Sequence, residues 1–496
     1  MQASIIEFLS DPKSYGPDVE KIDIITTHIS HVFLVGRKAY KLKRALKLPY
    51  LDFSTLEDRR KACENEVKLN RRTAPMIYVG VEPLTSSPDG QLAIDGEGET
   101  VDWLVEMNRF EDGLLLSEYV QKNKLSNSLA ENLAEEIFNF HSNENPVLNV
   151  GGAGAMAGIV ENNTQCFLNY GVGILGRDKI GELSEKTQAK LGQVALLLDR
   201  RREEGKVRHC HGDLHLGNIV LIEGQPVLFD AIEFNDQLAT IDVMYDLAFL
   251  VMDLTFRGMI SEANILLNRY IALTSDVHGL ETLPLFLSMR AAIRSHVAAL
   301  AHDETAALKY MDFALSILEP AQPRLIAVGG LSGTGKSSLA RELAPSVNPL
   351  PGALILRSDV VRKQLAGVDQ FTQLEDEGYS PEMTRRTYDQ MYQDAAVGLL
   401  AGHSVIVDAV FARVEERAAI RNVAANAGVN FDGIWLVAEP AIAEQRISRR
   451  SNDASDATVD ILHQQLGYDI GAIDWPKIES SANLIDVMRS ISEILH

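Results

Sequence analysis

The hydrophobic and polar positions along the chain change their pattern at about residue 320. Before that point, β-rich runs at 22–44 and 101–110 predict strands, and helical spacing dominates from about 113 to 205 and from about 240 to 318. A second β-rich stretch, NIVLIEGQPVLFDAIEF, lies between the two helical regions. The pattern predicts an α+β domain in which a stranded part precedes a largely helical part.

Strands and helices alternate after the prolines of LEPAQP. The apolar runs RLIAVGG, ALILRSD, SVIVDAVF and FDGIWLVAE are separated by helical segments. This alternation is typical of an α/β domain with a parallel sheet. We therefore predict two domains, at 1–320 and 321–496.

Composition narrows the class of protein. The 496 residues carry a net charge of −22, which argues against a dedicated nucleic-acid binder. Three cysteines, Cys63, Cys166 and Cys210, make no disulfide framework and indicate a reducing compartment. The sequence has no signal-peptide pattern and no run of 18 apolar residues. We expect a cytoplasmic protein with no membrane partner.

The stretch HCHGDLHLGN at 209–218 has two interpretations. As a metal site it would use His209, Cys210, His211 and His215. These ligands are crowded, and no second Cys/His cluster lies nearby in the sequence to complete a tetrahedral shell. The metal interpretation is therefore the weaker one.

The same stretch has the spacing of a phosphotransfer loop. The triplet HGD ends at Asp213, Asn218 follows after four residues, and a strand then leads to Asp230. Such a loop needs one carboxylate, Asp213, to accept or orient the proton of an acceptor hydroxyl. It also needs an amide and a second carboxylate, Asn218 and Asp230, to hold Mg²⁺ on the phosphates. His211 then has a structural role.

This loop resembles that of the aminoglycoside phosphotransferase family, a branch of the protein-kinase-like fold. The resemblance implies a bilobal domain, with a small lobe at about 20–108 and a helical large lobe at about 109–318. It implies that Asp246 in MYDLAF braces the catalytic loop. The stretch LVEMNRF resembles the hinge that grips adenine through its backbone, at Glu106 and Met107.

The resemblance also implies an ATP-contacting lysine on the strand AYKLKR. Lys41 fits it best, and Lys43 on the same face is the alternative. Its partner on the next helix is Glu66, with Glu64 as second choice. A solvated basic strand is the simpler interpretation. TTHISHV occupies the place of a glycine-rich phosphate loop, so the sequence leaves the first phosphate grip open.

A second nucleotide site is predicted at 329–340. GGLSGTGKSSLA is a complete Walker A motif between an apolar strand and a helix. Its backbone N–H groups would cradle the phosphates, Lys336 would act on the β- and γ-phosphates as a catalytic residue, and Ser337 would ligate Mg²⁺. The predicted nucleotide-binding residues are Gly330, Ser332, Gly333, Thr334, Gly335, Lys336, Ser337 and Ser338.

The D-x-x-R pattern in RSDVVRK resembles the acceptor site of polynucleotide kinases. The resemblance makes Asp359 the catalytic base and Arg362 a substrate contact, whereas the simpler interpretation is a solvated helix start. Asp408, which ends the predicted strand within SVIVDAVF, resembles a Walker B carboxylate that acts through Mg²⁺. Arg417 in ARVEER is a second candidate substrate contact.

Three arginines follow the fourth strand of this domain. Arg446, Arg449 and Arg450 lie where small P-loop kinases carry lid arginines, and a plain basic helix face is the alternative. The lid interpretation makes Arg446 and Arg450 nucleotide contacts.

The whole chain resembles bacterial proteins that fuse an aminoglycoside-phosphotransferase-like domain to a P-loop kinase-like ATPase domain. The resemblance implies a bifunctional phosphotransferase that uses ATP and Mg²⁺ on a small-molecule hydroxyl acceptor. One alternative is a single kinase regulated by a P-loop nucleotide sensor, and another is an aminoglycoside-inactivating kinase. A nucleic-acid end is a less favoured acceptor for the second domain. The sequence does not identify the acceptor, the preference for ATP or GTP, or the oligomeric state.

Overall fold

The computed structural model describes residues 2–48, 51–123, 125–450, 453–481 and 484–492. The chain forms two compact units. The first comprises Met1–Met156 and Leu198–Leu250, and the second comprises Ala157–Leu197 and Val251–His496. Their extents differ from the domains predicted at 1–320 and 321–496, and that domain division stays a prediction.

The first unit contains an antiparallel sheet of six strands in the order β1-β2-β3-β8-β6-β7. The strands are β1 (Asp23–Thr26), β2 (Ser30–Val35), β3 (Lys38–Lys43), β6 (Tyr78–Ser86), β7 (Leu92–Ile94) and β8 (Glu99–Asn108). Helix α2 (Leu56–Asn70) begins after Thr55, whose side chain accepts a hydrogen bond from Asp58 N. Apolar residues of α2 and the sheet share one core, which brings β3 and α2 together.

Shorter elements complete the first unit. They are α1 (Gln2–Ser10), β4 (Lys47–Leu48), β5 (Leu51–Asp52), α3 (Leu116–Lys122), α4 (Asn127–Asn143), β9 (Val207–His209), β10 (Ile219–Ile222), β11 (Gln225–Leu228), α8 (Asp236–Ala239) and β12 (Thr240–Asp242). β10 pairs with β11 and β9 pairs with β12, both antiparallel. The HGD motif lies between β9 and β10, so one strand of the β9–β12 pair precedes it and the β10–β11 pair follows it. Three helices contain residues of both units: α5 (Gly152–Cys166), α7 (Arg177–Glu203) and α9 (Val243–Phe256).

The second unit contains the parallel sheet that the alternating pattern predicts. Its five strands have the order β14-β15-β13-β16-β17. They are β13 (Arg324–Gly329), β14 (Leu354–Arg357), β15 (Val405–Asp408), β16 (Asn430–Val437) and β17 (Lys477–Glu479). The first four match the four predicted apolar runs. The middle strands β13 and β15 are apolar except for Arg324 and Asp408 at their ends, which is typical of a parallel sheet with helices on both faces.

Helices make up the rest of the second unit. They are α6 (Val172–Leu175), α10 (Ile260–Thr274), α11 (Leu283–Leu300), α12 (Glu304–Ile317), α13 (Lys336–Leu343), α14 (Ser358–Ala366), α15 (Pro381–Leu400), α16 (Val414–Ala427), α17 (Pro440–Ser448), α18 (Val459–Leu466) and α19 (Leu484–Ser492). Within the described residues, none of the helices combines the length and apolar character needed to span a bilayer.

Helix α10 is bonded to β14 through Asn268. The Asn268 amide nitrogen donates to Ala353 O at 3.1 Å, and its oxygen accepts from Ile355 N at 2.7 Å. Asn264, one helical turn earlier, also donates to Ala353 O, at 3.0 Å. These bonds explain why residues that precede position 320 belong to the same compact unit as the parallel sheet.

Candidate active sites

Lys41 lies between two carboxylates in the first unit. Its Nζ is 2.8 Å from Glu66 Oε1 on α2 and 2.6 Å from Asp230 Oδ1, which follows β11. Burial lowers the pKa of Lys41, but the charges of Asp230 and Glu66 outweigh it and hold that pKa well above its usual value. The three residues form the lysine, glutamate and aspartate arrangement that a kinase-like site requires.

Lys43 occupies a different environment from Lys41. Its side chain is fully buried, 2.5 Å from Glu66 Oε2, and it also pairs with Glu233. Burial raises the pKa of Glu66, yet Lys41 and Lys43 together lower it to about 2. Of the two lysines that the sequence leaves open, Lys41 is the one that contacts Asp230. Glu233 was not anticipated, although its place three residues after Asp230 is a signal that could have been used.

Asp213 is held by Asn218, as the motif spacing suggests. Asn218 Nδ2 donates to the backbone oxygen and to Oδ2 of Asp213, each at 3.0 Å. Since the amide nitrogen is engaged in this way, the amide oxygen is the atom suited to Mg²⁺, which prefers oxygen ligands. Asp230, the second predicted Mg²⁺ ligand, has a φ of 61°. A left-handed aspartate is uncommon, and such backbone strain is concentrated at functional sites.

Asp246 braces the HGD loop from α9. Its carboxylate accepts hydrogen bonds from His211 N at 3.0 Å and Gly212 N at 2.8 Å, and it lies 3.1 Å from His141 Nε2. His141, Cys210 and Asp246 form the one cluster with metal-ligand spacing among the described residues. The backbone bonds occupy the Asp246 carboxylate, so the cluster is a structural brace.

The four residues of the metal interpretation, His209, Cys210, His211 and His215, do not form one cluster. His209 Nδ1 lies 3.1 Å from Arg72, and His211 Nε2 bonds to Phe229 O at 2.9 Å. Burial lowers the pKa of His211, which favours the neutral, structural ring that the sequence predicted.

The turn between β1 and β2, which has the sequence position of a glycine-rich loop, carries His28, whose ring interacts electrostatically with Asp213 and Asp230. Arg44 fixes the turn by donating to Thr27 O and His28 O, each at 3.0 Å. Burial lowers the pKa of His28, while the charges of Asp213 and Asp230 act to raise it. The position of His28 makes this turn a candidate for the phosphate grip that the sequence left open.

Glu106 and Met107 lie inside β8, between β3 and β6. The Glu106 side chain pairs with Lys38, and Met107 packs into the core between the six-stranded sheet and α2. β8 ends at Asn108, one residue after Met107, and the assignment of Glu106 and Met107 to an adenine-binding hinge stays a prediction. A strand with a neighbour on each side uses its backbone groups in pairing.

The Walker A loop connects β13 to α13 in the second unit. Gly330 has a φ of 138°, and a Cβ there would lie 2.6 Å from Leu436 O. Gly333 has a φ of 78°, and its Cβ would lie 2.6 Å from Ala443 O. Only glycine fits these two positions, which is what a close backbone cradle for phosphates requires. Lys336 Nζ donates to Leu331 O at 3.0 Å, and burial lowers the pKa of Lys336.

The hydroxyl of Ser337 donates to Asp408 Oδ2 at 2.5 Å. A hydroxyl beside a carboxylate fits a Mg²⁺ site of the P-loop type. Arg357 lies on the same carboxylate, with Nε 3.6 Å from Asp408 Oδ2, and its other end is 2.9 Å from Asp453. Arg357 and Asp453 were not predicted, because their link joins two distant parts of the chain.

One cavity of about 1490 Å³ connects the Walker loop to the predicted acceptor residues. Ligand clefts commonly measure about 300–1,000 Å³, so this cavity has room for a nucleotide and an acceptor together. The sequence-predicted residues that line it are Ser332, Gly333, Thr334, Gly335, Lys336, Ser337, Ser338, Asp359, Arg362, Asp408, Arg446 and Arg450. Gln465, which was not predicted, accepts from Ser332 N at 2.8 Å.

Asp359 and Arg362 both face this cavity from α14. Burial raises the pKa of Asp359, Asp408 adds to that increase, and Arg357 opposes it. Arg362 donates to Gly378 O at 3.0 Å and lies over the ring of Tyr379, with the ring centroid 5.0 Å away. A carboxylate whose pKa is raised is suited to act as a base toward a hydroxyl.

Arg417 does not join the other predicted residues. Its side chain is buried and donates to four backbone carbonyls, those of Phe411, Ala412, Ile470 and Ala472, at 2.8 to 3.0 Å. Arg446, in contrast, lines the cavity and donates to Ser480 O at 2.6 Å. The Arg417 side chain thus joins the residues just before α16 to the segment before β17.

Two family models match the chain. Residues 107–281 match the phosphotransferase enzyme family, and residues 325–468 match an AAA domain. The predicted fold class, a kinase-like α+β region followed by an α/β P-loop domain, is confirmed by these matches. The predicted resemblance to a fusion of the two domain types is confirmed as well.

The chain also resembles proteins of known sequence over most of its length. An uncharacterized protein of Mycobacterium tuberculosis is 30% identical over 453 residues, which are 89% of this chain and 88% of that protein. A protein of Mycobacterium bovis matches with the same identity and coverage.

Solved structures resemble separate parts of the chain. A GDP complex of aminoglycoside 2'-phosphotransferase-IIIa shares 14% identity over 64% of this chain and 96% of its own, with a TM-score of 0.39. A choline/ethanolamine kinase family protein from Mesorhizobium loti shares 13% identity over 64% and 94%, also at 0.39. An APS kinase of Mycobacterium tuberculosis, in complex with AMPPNP and APS, shares 21% identity over 36% and 99%, at 0.26.

The similarity to the mycobacterial proteins spans both matched regions. Since each region matches a kinase-like domain, the matches support a phosphotransferase. The chain belongs to the family of two-domain proteins in which a phosphotransferase-family domain is followed by a P-loop kinase-like domain.

Proposed function

We propose that this protein is a bifunctional phosphotransferase that moves the γ-phosphoryl group of ATP to hydroxyl groups of a small-molecule acceptor at two separate sites. The observation that carries the proposal is that each site has the same three parts. Each has a lysine for the phosphates, an oxygen pair for Mg²⁺ and a further carboxylate for the acceptor hydroxyl. The presence of all three parts supports transfer more strongly than nucleotide binding alone.

At the first site, Lys41 binds the phosphates and is oriented by Glu66, 2.8 Å away. Asn218 and Asp230 supply oxygen atoms for Mg²⁺, which neutralises charge on the phosphates when it is bound. Asp213 accepts the proton of the acceptor hydroxyl as that oxygen bonds to the γ-phosphorus and the bond to the β,γ-bridging oxygen breaks. The ADP product leaves with the bridging oxygen.

At the second site, Lys336 and the backbone of residues 330–335 bind the phosphates. Ser337 and Asp408, whose oxygens are 2.5 Å apart, are the residues that would hold Mg²⁺. Asp359 accepts the proton of the acceptor, Arg362 contacts the acceptor, and Arg446 and Arg450 contact the nucleotide. All of these side chains line the same cavity.

The acceptor is a small molecule of the cytoplasm, and the two sites act on one metabolite in succession or at two of its positions. Three free cysteines are consistent with a reducing compartment. Two sites on one chain keep an intermediate at a high effective concentration near the second site.

The test uses a bacterial metabolite extract, ATP and Mg²⁺ with the full chain, Asp213→Asn and Lys336→Ala. Mass spectrometry detects products that gain a phosphoryl group. Asp236→Asn and Lys179→Ala, at exposed ion pairs, are the matched controls and should keep every product. Loss of a different product by each site variant supports two kinases. Products that are unchanged in Lys336→Ala but lost in Asp213→Asn would make the P-loop domain a sensor.

A further inference from the structure

His215 is a residue of the HGD-containing loop to which the proposed transfer gives no role, and the metal interpretation that would use it as a ligand is the weaker one. It lies two residues after Asp213, and its ring contacts that carboxylate. His215 Nε2 is 3.4 Å from Asp213 Oδ2, the same oxygen that accepts from Asn218 Nδ2 at 3.0 Å. The contact raises the question of which nitrogen of the ring carries the proton.

The backbone answers that question. Gly217 N donates to His215 Nδ1 at 3.0 Å. A backbone N–H can only donate, so Nδ1 must be the acceptor and the proton of the neutral ring must be on Nε2. The nitrogen that faces Asp213 is therefore an N–H donor.

The ring is also fixed in space. It packs edge-on against Phe249 of α9, with ring centroids 5.2 Å apart. α9 also carries Asp246, which binds the backbone of His211 and Gly212. A Cβ at Gly217 would lie 2.8 Å from His215 Cε1 and 3.0 Å from Nδ1, so only glycine leaves room for the ring at that position.

We propose that His215 is a positioning residue for Asp213. Its Nε2–H and the Asn218 amide together hold Oδ2 of Asp213, which fixes the rotation of the carboxylate and directs its other oxygen toward the acceptor. Gly217 serves the same purpose by fixing the tautomer and leaving space for the ring. The proposal rests on the proposed function, in which Asp213 accepts the acceptor proton.

Replacing His215 with asparagine or with glutamine tests the contacts of its two ring nitrogens separately. Asparagine can still accept the Gly217 N–H, as a good cap of the short turn, but it ends before it reaches Asp213. Glutamine extends an amide N–H to about the position of Nε2. His215→Gln should therefore retain most of the rate that His215→Asn loses.

The experiment measures hydrolysis of Mg·ATP, with water as acceptor, by the full chain carrying Lys336→Ala to silence the second site. His215→Asn should lower kcat about tenfold, within the roughly hundredfold that a misplacement of 1 Å can cost, with KM for ATP changed less than about twofold. His215→Gln should stay within about threefold of the parent. Gly217→Ala should lower kcat like His215→Asn, and the double variant should lose no more than either single one.

His209→Asn is the matched control. His209 is exposed to a similar extent, 23% against 19%, and also lies near an aspartate, Asp236. It should keep kcat and KM. Equal rates for His215→Asn and the parent, or a higher KM at unchanged kcat, would overturn the role of His215.

Asp213→Asn separates a failure of the positioning role from a failure of the proposed function. If it lowers hydrolysis and His215→Asn does not, the positioning role fails while the proposed function stands. If Asp213→Asn leaves hydrolysis unchanged, the proposed function of the first site fails. Thermal unfolding of each variant shows whether it is folded at the assay temperature. If a variant loses rate only because it unfolds, that result counts against the positioning role.

Discussion

Lys41 forms an ion pair of 2.6 Å with Asp230, which lies 189 residues further along the chain. The cation proposed for the phosphates and the carboxylate proposed for Mg²⁺ are therefore direct neighbours. Glu66 lies between Lys41 and Lys43, and Glu233 follows on the other side of Lys43. Negative and positive side chains thus alternate in the order Asp230, Lys41, Glu66, Lys43 and Glu233. We therefore expect Lys41 to affect activity and the fully buried Lys43 to affect stability.

The two lysines should give opposite phenotypes. Lys41→Met should lower kcat/KM for Mg·ATP hydrolysis at the first site by about a hundredfold, the typical loss for a charge-stabilising donor. Lys43→Met should leave buried Glu66 and Glu233 without this partner, and should lower the free energy of unfolding by about 3–5 kcal/mol. Kinetics in the Lys336→Ala background and urea unfolding measure the two effects. A Lys43→Met protein of normal stability with a larger loss in kcat/KM would reverse the assignment.

The Walker loop should not tolerate a methyl group at Gly333. In Gly333→Ala, the Cβ would lie 2.6 Å from Ala443 O at a backbone φ of 78°. Strain of about 1–3 kcal/mol should weaken nucleotide binding at this site about tenfold or more. Calorimetric titration with ATP should then show one of two binding steps weakened. Gly192→Ala, in α7 with open space around its Cβ, should keep both steps and gain about 0.4–1 kcal/mol of stability.

Substitution of Arg417 should lower stability, whereas substitution of Arg362 should lower transfer at the second site. Arg417→Ala leaves four backbone carbonyls without their donor, and unsatisfied buried groups cost about 1–3 kcal/mol each. We expect a loss of at least about 3 kcal/mol in unfolding free energy, with KM values near normal below the unfolding transition. Arg362→Ala, at the cavity, should reduce transfer at the second site. If Arg417→Ala were as stable as the parent and raised the KM of the acceptor, Arg417 would be a substrate contact after all.

Acid should destabilise the second unit through His403. Burial lowers the pKa of His403 from 6.5 to about 4, and its Nε2 lies 3.1 Å from Leu280 O. Between these two pH values the unfolded chain binds a proton that the folded protein does not, so stability falls as pH decreases from about 6.5 to about 4. The contribution approaches about 3 kcal/mol at the low end, at about 1.4 kcal/mol per pKa unit.

The His403→Gln variant tests this dependence. Glutamine can donate to Leu280 O but does not titrate in this range. Its melting temperature should fall less steeply with decreasing pH than that of the parent. Parallel curves for the two proteins would show that His403 is not the group responsible.

The sequence predicted the residues of both local motifs from their spacing, and the family resemblance added Lys41 and Glu66. Lys41 contacts both Glu66 and Asp230 over long distances in the sequence. The HGD loop with Asn218, and the Walker loop with Ser337, follow from spacing within about ten residues, because one turn of chain fixes their geometry. Glu233, Arg357 and Gln465 were missed because they act on groups that lie far away in the sequence, and of the three only Glu233 has a local signal, its place three residues after Asp230. Composition alone cannot show which of two nearby lysines points toward Asp230.

Two predicted site residues, Met107 and Arg417, lie in surroundings that a local pattern does not report, and their predicted roles stay predictions. The apolar run that carries Met107 continues as a strand to Asn108, and strand pairing on both sides decides which residues end it. Arg417 has the residue type of a substrate contact, but its helix turns it toward backbone carbonyls. Burial and direction of a side chain depend on the packed elements around it, which the spacing of charges does not report.

The bonds from Asn268 to Ala353 and Ile355 have a consequence for the sheet edge. β14 is an outer strand, and an outer strand with unpaired N–H and C=O groups is a template for intermolecular aggregation. Here a side-chain amide from a helix satisfies both kinds of group, as another strand would. A fragment that starts at residue 321 would lose this cover, and we expect it to aggregate through β14 although its nucleotide-binding motifs are intact.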